Sequence, residues 1–409
     1  MADGPIELGT AREDQLSSPS IGELAPSPTP APQTPYTGNG ELATEHRDTR
    51  KGPHWRTLGS KVLHFLVAIF LFILAIQFMK VGADALGPEL EGTFPLDNAF
   101  STLGLGWLGA YFVLSGSPVA AVAVALFGAS TLTELQAFTM LTGSRMGAAF
   151  IVLLVGFIYV IRKGNRRESL GMGVLALSLT AAIYIPGMLL GYGVLKSGVL
   201  SGVELTASAE LQGVIDYVWG PLVRLASDNI PAWVLFPLGL GVILLSFKFL
   251  DRVLPEIDGD RTAQGKHHWL KKPWPMFFLG CLACLLTLSV SVAMTALVPL
   301  AAKGYIDRRE AMPYIMGANI TTLADTLVVA MLQDWGGPVQ VVLAETIGVT
   351  VVTILVLLFL YRPLQRGIMA LDEWVVGSTR RLILFVCGLF VLPAVLLLSG
   401  RIIGPIAGT

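Results

Sequence analysis

The sequence predicts an all-α polytopic membrane protein made of two inverted-topology repeats, each with a re-entrant helical hairpin. Three observations predict it. The 409 residues are 53% hydrophobic and only 14% charged, with a mean hydropathy of +0.67, where a soluble domain carries about 25% charged residues. Apolar runs of roughly 20 residues recur, the length an α-helix needs to cross a bilayer. One segment also occurs twice. Leu114-Ser115-Gly116-Ser117 leads to Gly143-Ser144-Arg145, and Leu288-Ser289-Val290-Ser291 leads to Gly317-Ala318-Asn319, with equal spacing from Leu to Gly (143 − 114 = 317 − 288 = 29).

Residues 1–55 are polar and rich in Pro, Ser and Thr. They bury too little apolar area to offset chain entropy and read as a disordered tail, not a signal peptide. Arg47, Arg50, Lys51, Arg56 and Lys61 precede the first apolar run, so the positive-inside bias makes this tail cytoplasmic. The first span is 62–84. The loop 84–99 holds Asp84, Glu89, Glu91 and Asp97 with no Lys or Arg, and fits the outside.

Residues 100–127 and 137–161 are both apolar, and the second run ends in the basic cluster Arg162 to Arg167. If both crossed, that cluster would lie outside. A hairpin that enters from outside, turns at 114–118 and returns removes the conflict. Gly116 permits the turn and Pro118 cannot continue a helical ladder. Residues 137–161 then cross inward and 169–195 outward, completing a first membrane repeat over 56–198. Residues 199–230 mix charge with Leu, Val and Trp219 and read as an extracytoplasmic amphipathic connection.

Residues 231–250 return inward to a loop, 251–273, with Arg252, Arg261, Lys266, Lys271 and Lys272. The second copy repeats the pattern from the other face. Residues 274–302 form a hairpin that breaks near 288–291, its return followed by the basic stretch Lys303 to Arg309. Residues 311–332 cross outward and 338–361 inward, so the second membrane repeat is 231–362. A cytoplasmic connection carrying Arg362, Arg366, Arg380 and Arg381, and a last span over 382–402, fill 363–409.

Several function classes are disfavoured. Lys and Arg number 28 against 29 Asp and Glu, and no basic groove with stacking aromatics points to nucleic acid. Cys281, Cys284 and Cys387 all lie in apolar stretches. The Cys281-x-x-Cys284 pair has no second pair to complete a metal site and reads as small helix residues. His46, His54, His64, His267 and His268 all lie away from the middle of a span. The Ser residues have no His or Lys near in sequence to activate them, so the chain does not read as an enzyme and needs no cofactor. A lone Ser in a membrane helix usually bonds its own backbone; two Ser pairs at matched places in a duplication favour a site.

At these residues the chain resembles the sodium-dependent phosphate cotransporter family, as a divergent member. That family has two inverted halves, each with a Gln-Ser-Ser-Ser motif followed by Gly-Ala-Asn-Ile-Gly-Thr. Met316-Gly-Ala-Asn-Ile-Thr-Thr322 is similar to the latter, and Phe72 to Met79 and Gly241 to Lys248 are similar to the opening helices of the halves. The resemblance covers about 60–400. Leu114 and Leu288 stand in place of Gln, Gly116 and Val290 in place of the middle Ser, and Gly143-Ser144-Arg145 in place of the first Gly-Ala-Asn. It implies a sodium-coupled symporter of phosphate or a related small anion in the cytoplasmic (plasma) membrane, N-terminus inside, with lipid, sodium and the anion as partners. A homo-oligomer, a different solute, or a scaffold without transport stays open.

Sodium takes oxygen ligands, and hydroxyls or unwound carbonyls at a hairpin tip supply them without adding charge. The candidates are Ser115 and Ser117 at one tip, with Gly116 between them, and Ser289 and Ser291 at the other. Asn319, Thr321 and Thr322 are expected along the same cavity, and half-helix N-termini would hold an anion. Arg145, Asp325 and Glu345 fall inside expected spans, where a central charge costs about 2.5–3.5 kcal/mol on insertion scales. Arg145 sits at the repeat position of Asn319 (145 − 114 = 319 − 288 = 31), and Asp325 follows six residues later. Arg145 either meets the substrate or pairs with Asp325 or Glu345. Gly143 and Gly147, Thr350 and Thr353 read as helix-packing residues, and Lys248 as a cation reaching the cytoplasmic surface.

Overall fold

The structure, a computed structural model, describes residues 54–93, 98–163, 166–203, 205–253, 272–287, 289–302 and 306–403. The tail 1–53, the loop residues Arg261, Lys266 and Lys271, Leu288 and Lys303 lie outside the described residues.

The described residues form helices joined by short turns. The first half holds α1 (His54–Thr93), α2 (Ala99–Val113), α3 (Gly116–Gly128), α4 (Glu134–Ala148), α5 (Phe150–Lys163) and α6 (Arg166–Lys196). Next come α7 (Ala209–Asn229) and α8 (Ala232–Val253). The second half continues with α9 (Pro273–Thr287), α10 (Val290–Thr295), α11 (Leu297–Ala302), α12 (Arg308–Thr321), α13 (Leu323–Met331) and α14 (Gly337–Leu355). A π-helical turn, Val356–Leu360, leads into α15 (Tyr361–Val376), and α16 (Thr379–Ile403) is last.

Seven helical stretches among the described residues are long and apolar enough to cross a membrane: 59–83, 134–161, 167–196, 232–250, 308–331, 337–376 and 379–399. They coincide with the seven full crossings expected from the sequence. The apolar segments at 100–127 and 274–302 are instead broken into short helices. At 15 residues each, α2 and α9 reach only about 22 Å at 1.5 Å per residue, less than the ~30 Å hydrocarbon core.

The duplication is visible in the packing. A Cβ on Gly106 would strike the Met140 carbonyl, and one on Gly280 the Tyr314 carbonyl. A Cβ on Gly143 would strike the Leu103 carbonyl, and one on Gly317 the Phe277 carbonyl. Each pair is related by the offset of the sequence repeat (280 − 106 = 314 − 140 = 317 − 143 = 277 − 103 = 288 − 114 = 174). So α2 lies on α4 as α9 lies on α12, backbone to backbone, because glycine at the crossing leaves no side chain between them. The caps obey the same register: Thr133 and Gln136 form a capping box at α4, Asp307 and Glu310 one at α12 (307 − 133 = 310 − 136 = 174). Two further main pairings join the halves, α1 with α8 and α6 with α14. Both use glycine: Gly82 meets the Phe236 backbone, and Gly348 meets Gly187 and Gly191.

Two details differ from the sequence expectation and two refine it. Helix α1 runs to Thr93, so much of the expected loop 84–99 is helical. The runs expected as single spans over 137–161 and 311–332 are single helical stretches, each with a local irregularity in its helical backbone, at Ala149 between α4 and α5 and at Thr322 between α12 and α13. The connection at 363–381 is largely helix α15. Pro363 has no N–H to offer the preceding turn, and the ladder widens there into the π turn instead of ending. The connection 199–230 does contain an amphipathic helix, α7, anchored by Trp219 Nε1 donating to the Phe70 carbonyl at 2.9 Å.

One large apolar core joins α6 residues Met172, Leu175, Leu179 and Ile183 to Met312, Ile315 and Met316 of α12. At one end, Arg308 of α12 pairs with buried Asp372 of α15 and, at 3.2 Å, with Glu168 of α6. Elsewhere Lys80 of α1 pairs with Asp334, in the turn before α14, at 2.6 Å.

Candidate functional site

Each duplicated Ser segment makes a break between helices. Helix α2 stops at Leu114, which adopts the left-handed conformation (φ 56°, ψ 25°). Ser115 is extended, and α3 starts at Gly116. The turn residue is therefore Leu114, not Gly116 as the sequence suggested. Gly116 answers a different need: a Cβ there would sit 2.7 Å from the Ser144 carbonyl oxygen of α4. Pro118 occupies the first turn of α3, where its missing N–H costs nothing.

In the second copy, Ser289 is extended like Ser115 and caps α10, its hydroxyl accepting the Val292 N–H at 3.3 Å. Thr287 donates its hydroxyl to the Ala283 carbonyl at 2.7 Å, and its oxygen lies 3.1 Å from the Ser289 carbonyl. Ser115 makes no such side-chain cap.

The two breaks meet. Ser291 Oγ lies 3.5 Å from the Leu114 carbonyl oxygen. A cavity of about 200 Å³ opens between them, lined by Ser115, Ser117, Ser289 and Ser291, with Phe247 and Lys248 of α8 on its wall. All four candidate serines thus line one space. Lys248 brings a cation to it, which nearness to a span end had hidden in the sequence.

Beneath Ser117 lies the Arg145 guanidinium, almost wholly buried. Its Nη1 donates to Ser117 Oγ at 3.3 Å and to Thr322 Oγ1 at 3.0 Å. Its Nη2 donates to Asp325 Oδ1 at 3.1 Å and to Thr326 Oγ1. Thr326 in turn donates to Asp325 Oδ1 at 2.8 Å. Of the two acids the sequence offered as partners for Arg145, the guanidinium bonds Asp325. Because Ser117 bonds Arg145, it belongs both to the cavity and to the charged cluster below.

Four expected residues are placed away from the serine cavity. Asn319 Nδ2 donates to Thr180 Oγ1 at 3.1 Å, and its carbonyl accepts from Tyr184 Oη at 2.8 Å. Thr321 returns its hydroxyl to the Gly317 carbonyl at 2.8 Å. Thr322 and Asp325 serve Arg145. Thr326, Thr180 and Tyr184 escaped the sequence reading. Thr326 could have been suspected as the hydroxyl next to Asp325; nothing local marks the other two, which are brought in by α6.

Glu345 of α14 is fully buried, and neither carboxyl oxygen has a hydrogen-bond partner. It faces Thr142 and Arg145 of α4. Thr350 and Thr353 lie further along α14, and the Thr353 hydroxyl is buried without a partner.

Residues 242–377 match the model of the Na+/Pi-cotransporter family. The matched stretch runs from α8 through α15 and contains Lys248, Ser289, Ser291, Asp325 and Glu345. Neither curated proteins nor solved structures gave a significant match to the chain.

Proposed function

We propose that this member of the Na+/Pi-cotransporter family is a sodium-coupled secondary transporter of inorganic phosphate or a related small anion. The observation that carries the reading is the single cavity lined by Ser115, Ser117, Ser289 and Ser291 from two duplicated segments, with Lys248 on its wall. Hydroxyls and the Leu114 carbonyl offer the neutral oxygen ligands that sodium takes. The ammonium of Lys248 and the N-terminal N–H groups of α3, a 13-residue helix, offer an anion its counter-charge.

In this reading the broken segments α2–α3 and α9–α11 are re-entrant hairpins of opposite orientation, as the alternation of basic and acidic loops requires. The protein sits in the plasma membrane with its N-terminus inside. Alternating access moves the broken segments against the rest, and the Arg145–Asp325 link between halves is remade or carried along in each cycle.

The test is uptake of labelled phosphate by the purified protein in sealed vesicles, with and without an inward sodium gradient. Uptake that needs sodium is expected. Absence of uptake with intact sodium-induced thermal stabilisation redirects the reading to another solute. Absence of both overturns it in favour of a scaffold on the same fold.

A further inference from the structure

We infer that Glu345 is a proton-binding site, and that its proton decides which carboxylate holds Arg145. A carboxylate removed from water needs hydrogen bonds or a paired cation, and without them it takes a proton instead. Glu345 is fully buried with neither oxygen hydrogen-bonded.

The polar groups around it have little to give. Thr142, which faces it from α4, spends its hydroxyl hydrogen on the Phe138 carbonyl at 3.0 Å. Tyr184 of α6, also within its field, spends its own on the Asn319 carbonyl at 2.8 Å. An oxygen whose hydrogen is committed can accept a bond but not donate one. That suits a neutral carboxyl, which has an O–H to offer, and not a carboxylate, which has none.

The remaining charged groups are Arg145 of α4 and, across it, Asp325 of α13. Four of the five Arg145 donors matter here by direction: both terminal nitrogens are turned toward Ser117, Thr322, Asp325 and Thr326. Its Nε–H is buried and has no partner. Arg145 is therefore bonded to one acid of the second half, Asp325, with its Nε–H left over, and its charge also acts on a second acid on another helix, Glu345. With Glu345 protonated, one positive charge meets one negative charge. When Glu345 releases its proton to water, a second carboxylate competes for the same guanidinium, and α14 gains the hold that α13 loses. The proton moves from the Glu345 carboxyl to solvent and no other bond is made or broken covalently. Only the place of this exchange in a transport cycle rests on the transporter reading.

Infrared difference spectroscopy of the full-length protein at neutral pH tests this without any transport. The carboxylic-acid C=O band of the wild type should lose one component in Glu345→Gln. Asp325→Asn should lose the same component, because Arg145 then turns to Glu345 and the acid ionises. A wild-type band unchanged by Glu345→Gln overturns the proton site, and a component that persists in Asp325→Asn overturns the exchange. Glu345→Gln is close to isosteric with the protonated acid and keeps the test open if Asp325→Asn does not fold. Failure of both phosphate uptake and sodium-induced stabilisation would sink the transporter reading and leave these bands as they are.

Discussion

Arg145 and Asp325 form a 3.1 Å ion pair with side chains only 1% and 7% exposed, and the bond ties α4 of the first half to α13 of the second. Removing one partner strands the other charge in the core, which costs about 3–5 kcal/mol. Arg145→Gln should lower the unfolding temperature in detergent sharply, and Asp325→Asn less so, because Glu345 then ionises and takes up the freed guanidinium. The double variant should recover part of the loss, since it leaves no lone charge. Full stability with lost uptake in Arg145→Gln would instead give the guanidinium a substrate role.

Gly106→Ala and Gly280→Ala should damage the protein in the same way. Each new methyl would meet a carbonyl of the helix opposite, Met140 in one half and Tyr314 in the other. Overpacking of this kind costs about 1–3 kcal/mol, or more where backbone must move. Gly213→Ala on α7 is the control: nothing lies near its Cβ, and alanine there should be neutral or stabilising by about 0.5–1 kcal/mol. Thermal unfolding of the three variants side by side checks the repeat register directly, because equal losses at 106 and 280 are required.

The crossings and both breaks were legible because they rest on local signals: apolar length, charge in loops, and a Ser segment that recurs at one spacing. The convergence of Ser115, Ser117, Ser289 and Ser291 followed from the duplication. The partner of Arg145 was not legible. Asp325 and Glu345 are both acids in the second half, and only the packing of α13 and α14 around α4 decides between them. Leu114 as the turn residue was equally hidden, since a non-glycine with positive φ runs against propensity. The nearby Gly116 looked like the hinge and is held instead by its contact with Ser144. Trp219, by contrast, stood out in an amphipathic stretch and does anchor α7 to α1.

The serines should separate into structural and binding roles. Ser289 caps α10 through the Val292 N–H, and such caps are worth about 1 kcal/mol. Ser115 makes no side-chain cap. Ser115→Ala should therefore leave unfolding unchanged while weakening sodium-induced thermal stabilisation, and Ser289→Ala should lower both. Equal stabilisation by sodium in wild type and Ser115→Ala would remove that hydroxyl from the ion site.

Lys248 gives the sharpest test of the anion. Its side chain lies on the wall of the serine cavity and remains largely exposed, so replacing it strands no buried charge and empties no core. Lys248→Gln should keep the wild-type unfolding temperature. If the ammonium faces the transported anion, the variant should raise the KM for phosphate on the order of tenfold, the scale of one charge-assisted hydrogen bond. Lys248→Arg, which keeps the charge on a differently shaped head, should restore part of the affinity. Added salt should narrow the gap between wild type and Lys248→Gln, because an exposed charge is screened within about 10 Å at 0.1 M. An unchanged KM in Lys248→Gln would leave the N–H groups of α3 and the four hydroxyls as the only anion contacts, and would favour a solute of lower charge than phosphate.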